Sequence, residues 1–386
     1  STAGAVTLNA DNTYNGLTKV GTGTLRLGSA GDPVNGPLGS VGAGTVVATG
    51  ASLDLNGITL VTLEPLALNG TGVAGGGALM NSSTNTVACS NAITLGSAAR
   101  IAGTNGSMAI AGPVSGAYEL TLGGTGGSNK VDGIIGTAGG GVTKDGTGTW
   151  ILSGTNTYTG ATTINVGTLK IAGAGAGANG PLGTVAGSTT VNTGGALDLN
   201  GFTLAADEPL SLNGGVLMNS SAGAVAWRGP VTAGGSIVAD NGSIVVSNAA
   251  AISGGGLVLD GTAAGNRVSS VIGASSVTKN GAGFWTLTAA NTYAGGTVIN
   301  NGTLLIANGS GSGTGSGTVT VRTNGTLGGS GSISGVVTVQ AGGRLAPGTN
   351  FVGTLTSTAG NFYFNSGAIL DYEVGGSDLV PTNDVV

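Results

Sequence analysis

Carboxylates are the residues of this chain with the most direct route to chemistry. Asp207 and Glu208 form its one adjacent acidic pair, and polysaccharide-cleaving β-solenoids use clustered acids on neighbouring turns. The counterpart of this pair elsewhere in the sequence is Leu63-Glu64, which has a single acid. This difference argues against a repeated acidic site.

Asp54 and Asp198 occupy equivalent places in two copies of the sequence Leu-Asp-Leu-Asn-Gly. Side chains alternate between the two faces of a strand, so the flanking leucines turn inward and each Asp turns outward. We therefore interpret Asp54 and Asp198 as solvated strand residues beside a turn.

Other catalytic and metal chemistry lacks the residues that it requires. The chain has no histidine, which removes the commonest general base, the commonest metal ligand and any Ser-His-Asp triad. Cys89 is the single cysteine, so an internal disulfide and a cysteine zinc site are excluded. We predict no catalytic residues, no metal site, no cofactor and no enzymatic activity.

Glycine-rich runs offer two weaker alternatives. The run 123–128, Gly-Gly-Thr-Gly-Gly-Ser, approaches a calcium-binding repeat but contains no Asp, and isolated ions at Asp or Asn turns stay an alternative. Gly-x-Gly at 21–23 and 311–313 opens no helix, so it does not indicate a phosphate site.

Large aromatic residues recur at fixed places, Trp150 with Tyr158 and Trp285 with Tyr293. They could form a sugar-binding platform. Their fixed place in a repeat favours the alternative, in which each fills a recurrent position in the core or at a corner.

Composition excludes several classes of protein. Of 386 residues, 81 are Gly and 7% are charged, while 40% are hydrophobic and the net charge is −5, which is unlike a disordered chain. Nine prolines and the lack of a three-residue period exclude collagen. The acidic balance and the absence of a basic cluster argue against nucleic acid as a partner, and interrupted apolar runs argue against membrane insertion.

Internal repeats explain much of the sequence. Residues 35–60 match residues 179–204 at 17 of 26 positions, at an offset of 144, and residues 144–171 match 279–306 at an offset of 135. We predict one continuous solenoid over residues 1–386, with repeats at approximately 17–143, 142–276 and 277–386.

The spacing after each repeated lysine differs between copies. Lys19 precedes Asn35 by 16 residues, whereas Lys144 precedes Asn179 by 35. We interpret the 19 missing residues as one deleted coil, because a solenoid can lose a whole turn and restack. This predicts about 19 turns of roughly 20 residues. Lys19, Lys144 and Lys279 are predicted to cover turns.

Short β-branched segments bounded by Gly or Asn predict strands. In the segment 167–171, Leu169 and Ile171 fall on one face and Thr168 and Lys170 on the other. No window has a helical apolar stripe. These patterns favour an all-β parallel β-helix with almost no helix over a sandwich or a propeller.

The segment from Lys144 through Trp150, Tyr158 and Gly167 to Leu169 resembles the passenger-associated β-strand repeat of bacterial autotransporters. The same residue types recur from Lys279 to Leu304, and a degenerate copy begins at Lys19, with Leu25 at the Trp position. The stretches 341–348, 353–355 and 367–374 resemble the segment that often closes such repeats.

The resemblance implies a right-handed β-helix exported to the surface of a Gram-negative bacterium, although the chain shows no C-terminal translocator barrel. We expect a non-enzymatic extracellular scaffold for adhesion, aggregation or biofilm. A subunit of end-to-end filaments and a glycan-binding adhesin that uses Trp150 or Trp285 are the alternatives. Expected partners are further copies, through ends or sides, and a host or matrix surface.

Overall fold

Short parallel strands, stacked turn upon turn, form most of the regular structure among the described residues. The computed structural model describes residues 4–42, 44–348, 353–358 and 361–371. These residues divide into unit 1, 1–197 with 204–208, and unit 2, 198–203 with 209–386. Each unit is a parallel β-solenoid, and the chain has about 17 turns in all. The one helical segment among the described residues is the 3-10 turn Val73–Gly75. The predicted fold class is confirmed.

The strands are short, as the sequence predicted. Those of unit 1, the last of which ends on a residue of unit 2, are Ala5–Leu8, Thr18–Val20, Gly23–Leu27, Asn35–Gly36, Gly39–Ser40, Thr45–Val47, Ala51–Asp54, Leu66–Gly70, Leu79–Asn81, Val87–Cys89, Ile93–Gly103, Met108–Ile110, Val114–Gly116, Leu120–Gly123, Asn129–Val131, Ile135–Gly136, Val142–Lys144, Thr149–Leu152, Thr162–Ile164, Gly167–Ile171, Asn179–Gly180, Gly183–Thr184, Thr189–Asn192 and Gly195–Asp198. Those of unit 2 are Leu210–Asn213, Val216–Asn219, Val225–Trp227, Val231–Ala233, Ser236–Ala239, Ile244–Val246, Ser253–Gly254, Leu257–Gly261, Asn266–Val268, Val277–Lys279, Phe284–Leu287, Thr297–Ile299, Gly302–Ile306, Val319–Val321, Gly325–Gly329, Ser332–Ile333, Val337–Val339, Arg344–Pro347, Thr356–Ser357, Phe362–Phe364 and Ile369–Leu370.

Apolar residues stack in register to form the core. In unit 1, Leu66 pairs with Ile93, Ile93 with Val114 and Val114 with Ile135, and all four side chains are buried. Alternation then sends their sequence neighbours outward. In the segment 167–171 the two aliphatic residues are fully buried and Thr and Lys lie outside, as predicted.

Inserted hairpins lengthen two of the turns. Residue 142 pairs with 162, a turn of 20 residues, but residue 162 pairs with 189, a turn of 27. The longer turn contains an antiparallel hairpin, Asn179–Gly180 with Gly183–Thr184. Asn35–Gly36 and Gly39–Ser40 form the same hairpin in the first copy. Turns without a hairpin also exceed 20 residues, such as 93 to 114 and 66 to 93, and the chain has about 17 turns rather than the 19 predicted.

The predicted deletion of a coil is wrong. Tyr14 bonds to Thr18 across four residues, as Tyr158 bonds to Thr162, so residues 14 and 158 are equivalent at an offset of 144. The same offset relates Asn35 to Asn179, and no residues are missing between them. Lys19 is therefore not the counterpart of Lys144. It is exposed, whereas Lys144 is fully buried.

Candidate functional site

The recurrent aromatic residues belong to the core. Trp150 and Trp285 have no exposed surface, and their indole N–H groups donate to the carbonyls of Gly123 at 2.8 Å and Asp260 at 3.0 Å. The next members of the repeat, Tyr158 and Tyr293, are also buried. The core interpretation is confirmed, and these four side chains cannot stack against a sugar.

Asp54 is buried rather than solvated, so the sequence prediction for it is wrong. Its Oδ1 accepts the N–H groups of Asn56 and Ser82, each at 3.0 Å. Its Oδ2 accepts the Ser82 hydroxyl at 2.6 Å and Arg26 Nε at 3.0 Å. Ser82 belongs to the following turn, so the carboxylate joins neighbouring turns and is covered by them.

Asp198 repeats this arrangement, and its predicted solvation is wrong for the same reason. The side chain is 2% exposed, and its Oδ1 accepts the N–H groups of Asn200 at 2.9 Å and Ser220 at 3.1 Å. Its Oδ2 accepts the Ser220 hydroxyl at 2.6 Å. Both aspartates therefore act as ties between turns, an internal use of carboxylates that leaves no open face for a substrate.

Glu64 and Glu208 form a repeated buried feature that the sequence argument dismissed. Thr45 Oγ1 donates to Glu64 Oε1 at 2.6 Å, and Thr189 Oγ1 donates to Glu208 Oε1 at 2.9 Å. Burial raises the pKa of Glu64, and it raises the pKa of Glu208 to about 7. Asp207, beside Glu208, is exposed, so the adjacent pair does not form a paired-acid site.

A small pocket lies beside Glu208. It is lined by Gly180, Leu182, Leu204, Ala206 and Glu208 among others, and it has room for about one water molecule. In the first copy Thr62 stands where the second has Ala206, and its hydroxyl donates to the carbonyl of Asp32 at 2.6 Å. A pocket of this size does not admit a sugar or a cofactor.

The repeated lysines cover turns, as predicted for two of the three. Lys144 Nζ donates to the carbonyls of Gly146 at 2.6 Å and Val166 at 2.9 Å. Lys279 Nζ donates to the carbonyls of Gly281 and, at 3.1 Å, Asn301. Burial lowers the pKa of both ammonium groups to about 8. Their donors are directed at backbone carbonyls of the turns around them.

The described residues do not assemble a metal site or a reactive thiol site. No group of three or more His, Cys, Asp or Glu side chains comes together in that part of the chain. Cys89 is buried, and burial raises the pKa of its thiol to about 12, which keeps it protonated. Across the same residues, no helix is long and apolar enough to cross a membrane.

The outer surface carries a feature that sequence reasoning missed. Pro65, Ala92, Pro113 and Ile134 each precede a strand of the same ladder in unit 1, and all four are exposed. We call this column the apolar ridge. The sequence could have predicted this column, because an apolar residue stands immediately before each inward-facing Leu, Ile or Val, at intervals of 27, 21 and 21 residues.

Known protein families and proteins show which sequences this chain is similar to. The model of the Passenger-associated-transport-repeat matches residues 3–27, 17–32, 142–171 and 277–306. The match at 3–27 agrees with the register set by Tyr14 and Thr18. The chain is also 31% identical over 205 residues to the Adhesin BmaC autotransporter of Brucella suis biovar 1 (strain 1330), which covers 52% of this chain and 5% of that relative. No solved structure matches significantly. The matched repeats and the relative together confirm the predicted resemblance to an autotransporter passenger domain with passenger-associated β-strand repeats.

Proposed function

We propose that this chain is part of a non-enzymatic scaffold for adhesion, exposed on the outer surface of a Gram-negative bacterium. The observation that carries the proposal is the stack of passenger-associated repeats, together with a relative that is named as an adhesin. This chain spans a small part of that relative, so the proposal concerns a surface role and not a particular receptor.

The burial and hydrogen bonds of the polar side chains support a scaffold rather than an enzyme. Asp54, Asp198 and Glu208 are buried and bonded to groups of neighbouring turns, and Lys144 and Lys279 cap turns. A hydrolytic site of the paired-acid type requires two carboxyl groups that face a substrate across an open cleft. Here the acids that recur in the repeats are used to hold the turns together.

Surface display provides the test of adhesion. The chain would be displayed on a non-adherent bacterium, and attachment to epithelial cells, extracellular matrix and plastic would be counted. We expect several-fold more attachment than with an empty display vector. The matched control is Leu169→Asp, which places a charge in the core and destroys the folded surface while export is checked by immunoblot. Equal attachment by the wild type, this variant and the empty vector would overturn the proposal.

The same preparation tests the absence of catalysis. Purified chain would be incubated with bacterial and plant polysaccharides, and release of reducing ends would be measured. We expect none above background. Turnover that disappears in Glu208→Gln or Asp54→Asn would show a catalytic carboxylate and would refute the non-enzymatic part of the proposal.

Self-association is the second candidate function, and the apolar ridge is the observation that favours it. The sides of the solenoid, rather than its ends, carry this feature, and the end residues 1–3 and 372–386 lie outside the described part of the chain. Electron microscopy at micromolar concentration separates single particles from lateral pairs and from filaments.

A further inference from the structure

Thirteen Asn-Gly pairs occur along this chain, and each is a potential site of covalent change. An Asn side chain can lose ammonia when the backbone nitrogen of the next residue attacks its amide carbon. Gly leaves this approach open because it has no Cβ and a freely rotating backbone. In a folded protein, the reaction further requires a free Gly N–H, a free Asn amide and access to water.

Hydrogen bonds of the solenoid restrain nine of these pairs. In six of them the Gly N–H that would attack is already donated, namely in Gly57, Gly70, Gly201, Gly214, Gly302 and Gly325. In three others the Asn Nδ2 donates to a carbonyl, from Asn105 and Asn241 at 2.7 Å and from Asn308 at 2.9 Å. These bonds must break before ammonia can leave, so the fold slows the reaction at all nine.

Three of the other four pairs are tightly packed. Gly36 and Gly180 are buried within the two hairpins. A Cβ built on Gly281 would lie 2.1 Å from the carbonyl oxygen of Gly261, so this part of the backbone lies against the turn beside it. Backbone held in this way is not free to move toward the preceding Asn side chain.

The remaining pair, Asn15-Gly16, is not restrained in any of these ways. Both residues are exposed, and a Cβ built on Gly16 would have open space around it. The backbone of residues 15–17 makes no hydrogen bond with the described part of the chain. The residue before it is fixed, because the carbonyl of Tyr14 accepts the Ser40 N–H at 3.0 Å. This pair therefore has a mobile attacking nitrogen next to an anchored chain.

A buried serine hydroxyl is directed at the reactive amide. Ser40 is 8% exposed, and its Oγ donates to Oδ1 of Asn15 at 2.6 Å. That oxygen gains negative charge when the Gly16 nitrogen attacks, and a donor already in place stabilises the charge. In the second copy, at an offset of 144, Thr159 replaces the Asn, and the hydroxyl of Thr184, at the Ser position, has no partner among the described residues. Of these two copies, only the first combines the donor with the amide.

We propose that Asn15-Gly16 is a self-modification site at which the folded chain deamidates. The Gly16 nitrogen gives its proton to water and bonds to Cγ of Asn15, the bond from Cγ to Nδ2 breaks, and Nδ2 takes a proton from water and leaves as ammonia. Water then opens the five-membered succinimide at either of its two carbonyls, which leaves an aspartyl or isoaspartyl residue at position 15. Water is the single co-reactant.

The modification changes charge without dismantling the stack. It adds one negative charge to a chain of net charge −5, and the new carboxylate can still accept the Ser40 hydroxyl. The extra main-chain carbon of an isoaspartyl residue falls in the segment 15–17, which has no backbone hydrogen bond to lose among the described residues. The chain therefore becomes more acidic with age while it stays folded, whether or not it has the adhesive role proposed above.

Peptide mapping of the full folded chain by mass spectrometry tests the site. After incubation at mildly alkaline pH, we expect conversion at Asn15 to exceed that at every other Asn-Gly pair by at least about fivefold, because the others must first lose a hydrogen bond or a packing contact. In guanidinium, where the fold is lost, the thirteen pairs should react at similar rates. No conversion at Asn15, or equal conversion at all pairs of the folded chain, overturns the proposal.

Two variants test the chemistry at this pair. Gly16→Ala fits the open space, and its Cβ should slow conversion of Asn15 about fivefold. Ser40→Ala removes the donor to Oδ1 and should slow conversion about three- to tenfold. Ser29→Ala is the matched control, because the Ser29 hydroxyl bonds to Asp11, at 2.6 Å, and not to Asn15. Circular dichroism verifies that the variants are folded. A wild-type rate in Gly16→Ala overturns the attack by this nitrogen, and equal rates in Ser40→Ala and Ser29→Ala overturn the role of the serine.

Discussion

Removal of the Asp54 carboxylate is expected to destabilise the solenoid strongly. Four donors bond to this side chain, namely the N–H groups of Asn56 and Ser82, the hydroxyl of Ser82 and Arg26 Nε, at 2.6 to 3.0 Å. Asp54→Ala leaves the three donors from Asn56 and Ser82 without their acceptor in a place that water reaches poorly. Since Asp54 has no exposed surface, we expect a loss of about 3–5 kcal/mol in the free energy of unfolding.

Two measurements check this value. Guanidinium unfolding followed by circular dichroism gives the change in the free energy of unfolding. Stacked repeats contact only their neighbours and can open locally, so hydrogen exchange should be measured as well. We expect the largest loss of protection at the amides of Asn56 and Ser82, and little change in unit 2.

A surface aspartate supplies the control. Asp132 pairs with Lys130 at 2.6 Å, but both side chains are substantially exposed, so Asp132→Ala should cost less than about 1 kcal/mol. Asp54→Asn, which keeps one acceptor oxygen, should fall between the two. A value for Asp54→Ala no larger than that for Asp132→Ala would refute the role of this carboxylate as a tie between turns.

Three further predictions concern buried groups. Burial raises the folded pKa of Glu208 to about 7. The stability that comes from its neutral form is therefore present below the unfolded pKa and is lost as pH rises through 7. Calorimetry should show a steeper fall in Tm from about pH 5 to 8 for the wild type than for Glu208→Gln, and equal slopes would contradict this. Trp150→Phe loses an indole hydrogen bond of 2.8 Å, whereas the indole N–H of Trp227 has no partner among the described residues. In urea unfolding, Trp150→Phe should therefore lower the free energy of unfolding by about 1–2 kcal/mol more than Trp227→Phe. Equal losses would argue against the bond. Gly183 has φ 88°, and a Cβ there would lie 2.6 Å from an aromatic carbon, so Gly183→Ala should cost more than about 3 kcal/mol in the free energy of unfolding. Gly177→Ala should cost about 1 kcal/mol, because Gly177 has φ 59° and open space around it. Chemical unfolding of both variants measures the two costs, and equal values would contradict this.

Local patterns predicted the local structure correctly. The alternation in residues 167–171 placed Leu169 and Ile171 inside because the two faces of a strand are fixed by backbone geometry alone. The burial of Asp54 escaped the same reasoning, since its cover comes from Ser82 in the next turn, 28 residues later. Strand alternation says which way a side chain leaves the backbone, but not what a neighbouring turn lays over it.

Register was the second failure, and it has a physical cause. Gly-Thr motifs recur so often that Lys19 could be aligned with Lys144, one turn away from its true equivalent. The better signal was the four-residue spacing from Tyr to Thr, which Tyr14 and Thr18 share with Tyr158 and Thr162 and which lets the two hydroxyl groups bond to each other. The apolar ridge was missed because its residues are far apart in sequence and become neighbours only after the turns stack.

The hairpin at Asn35–Ser40 shows where this architecture accepts extra chain. The turn that contains it carries residue 24 to residue 52, a separation of 28, yet the strands on both sides keep their parallel register. A corner that already contains an inserted hairpin is a suitable position for grafting foreign peptides. It is also a position at which a surface antigen could vary its exposed loops while the stack beneath them stays unchanged.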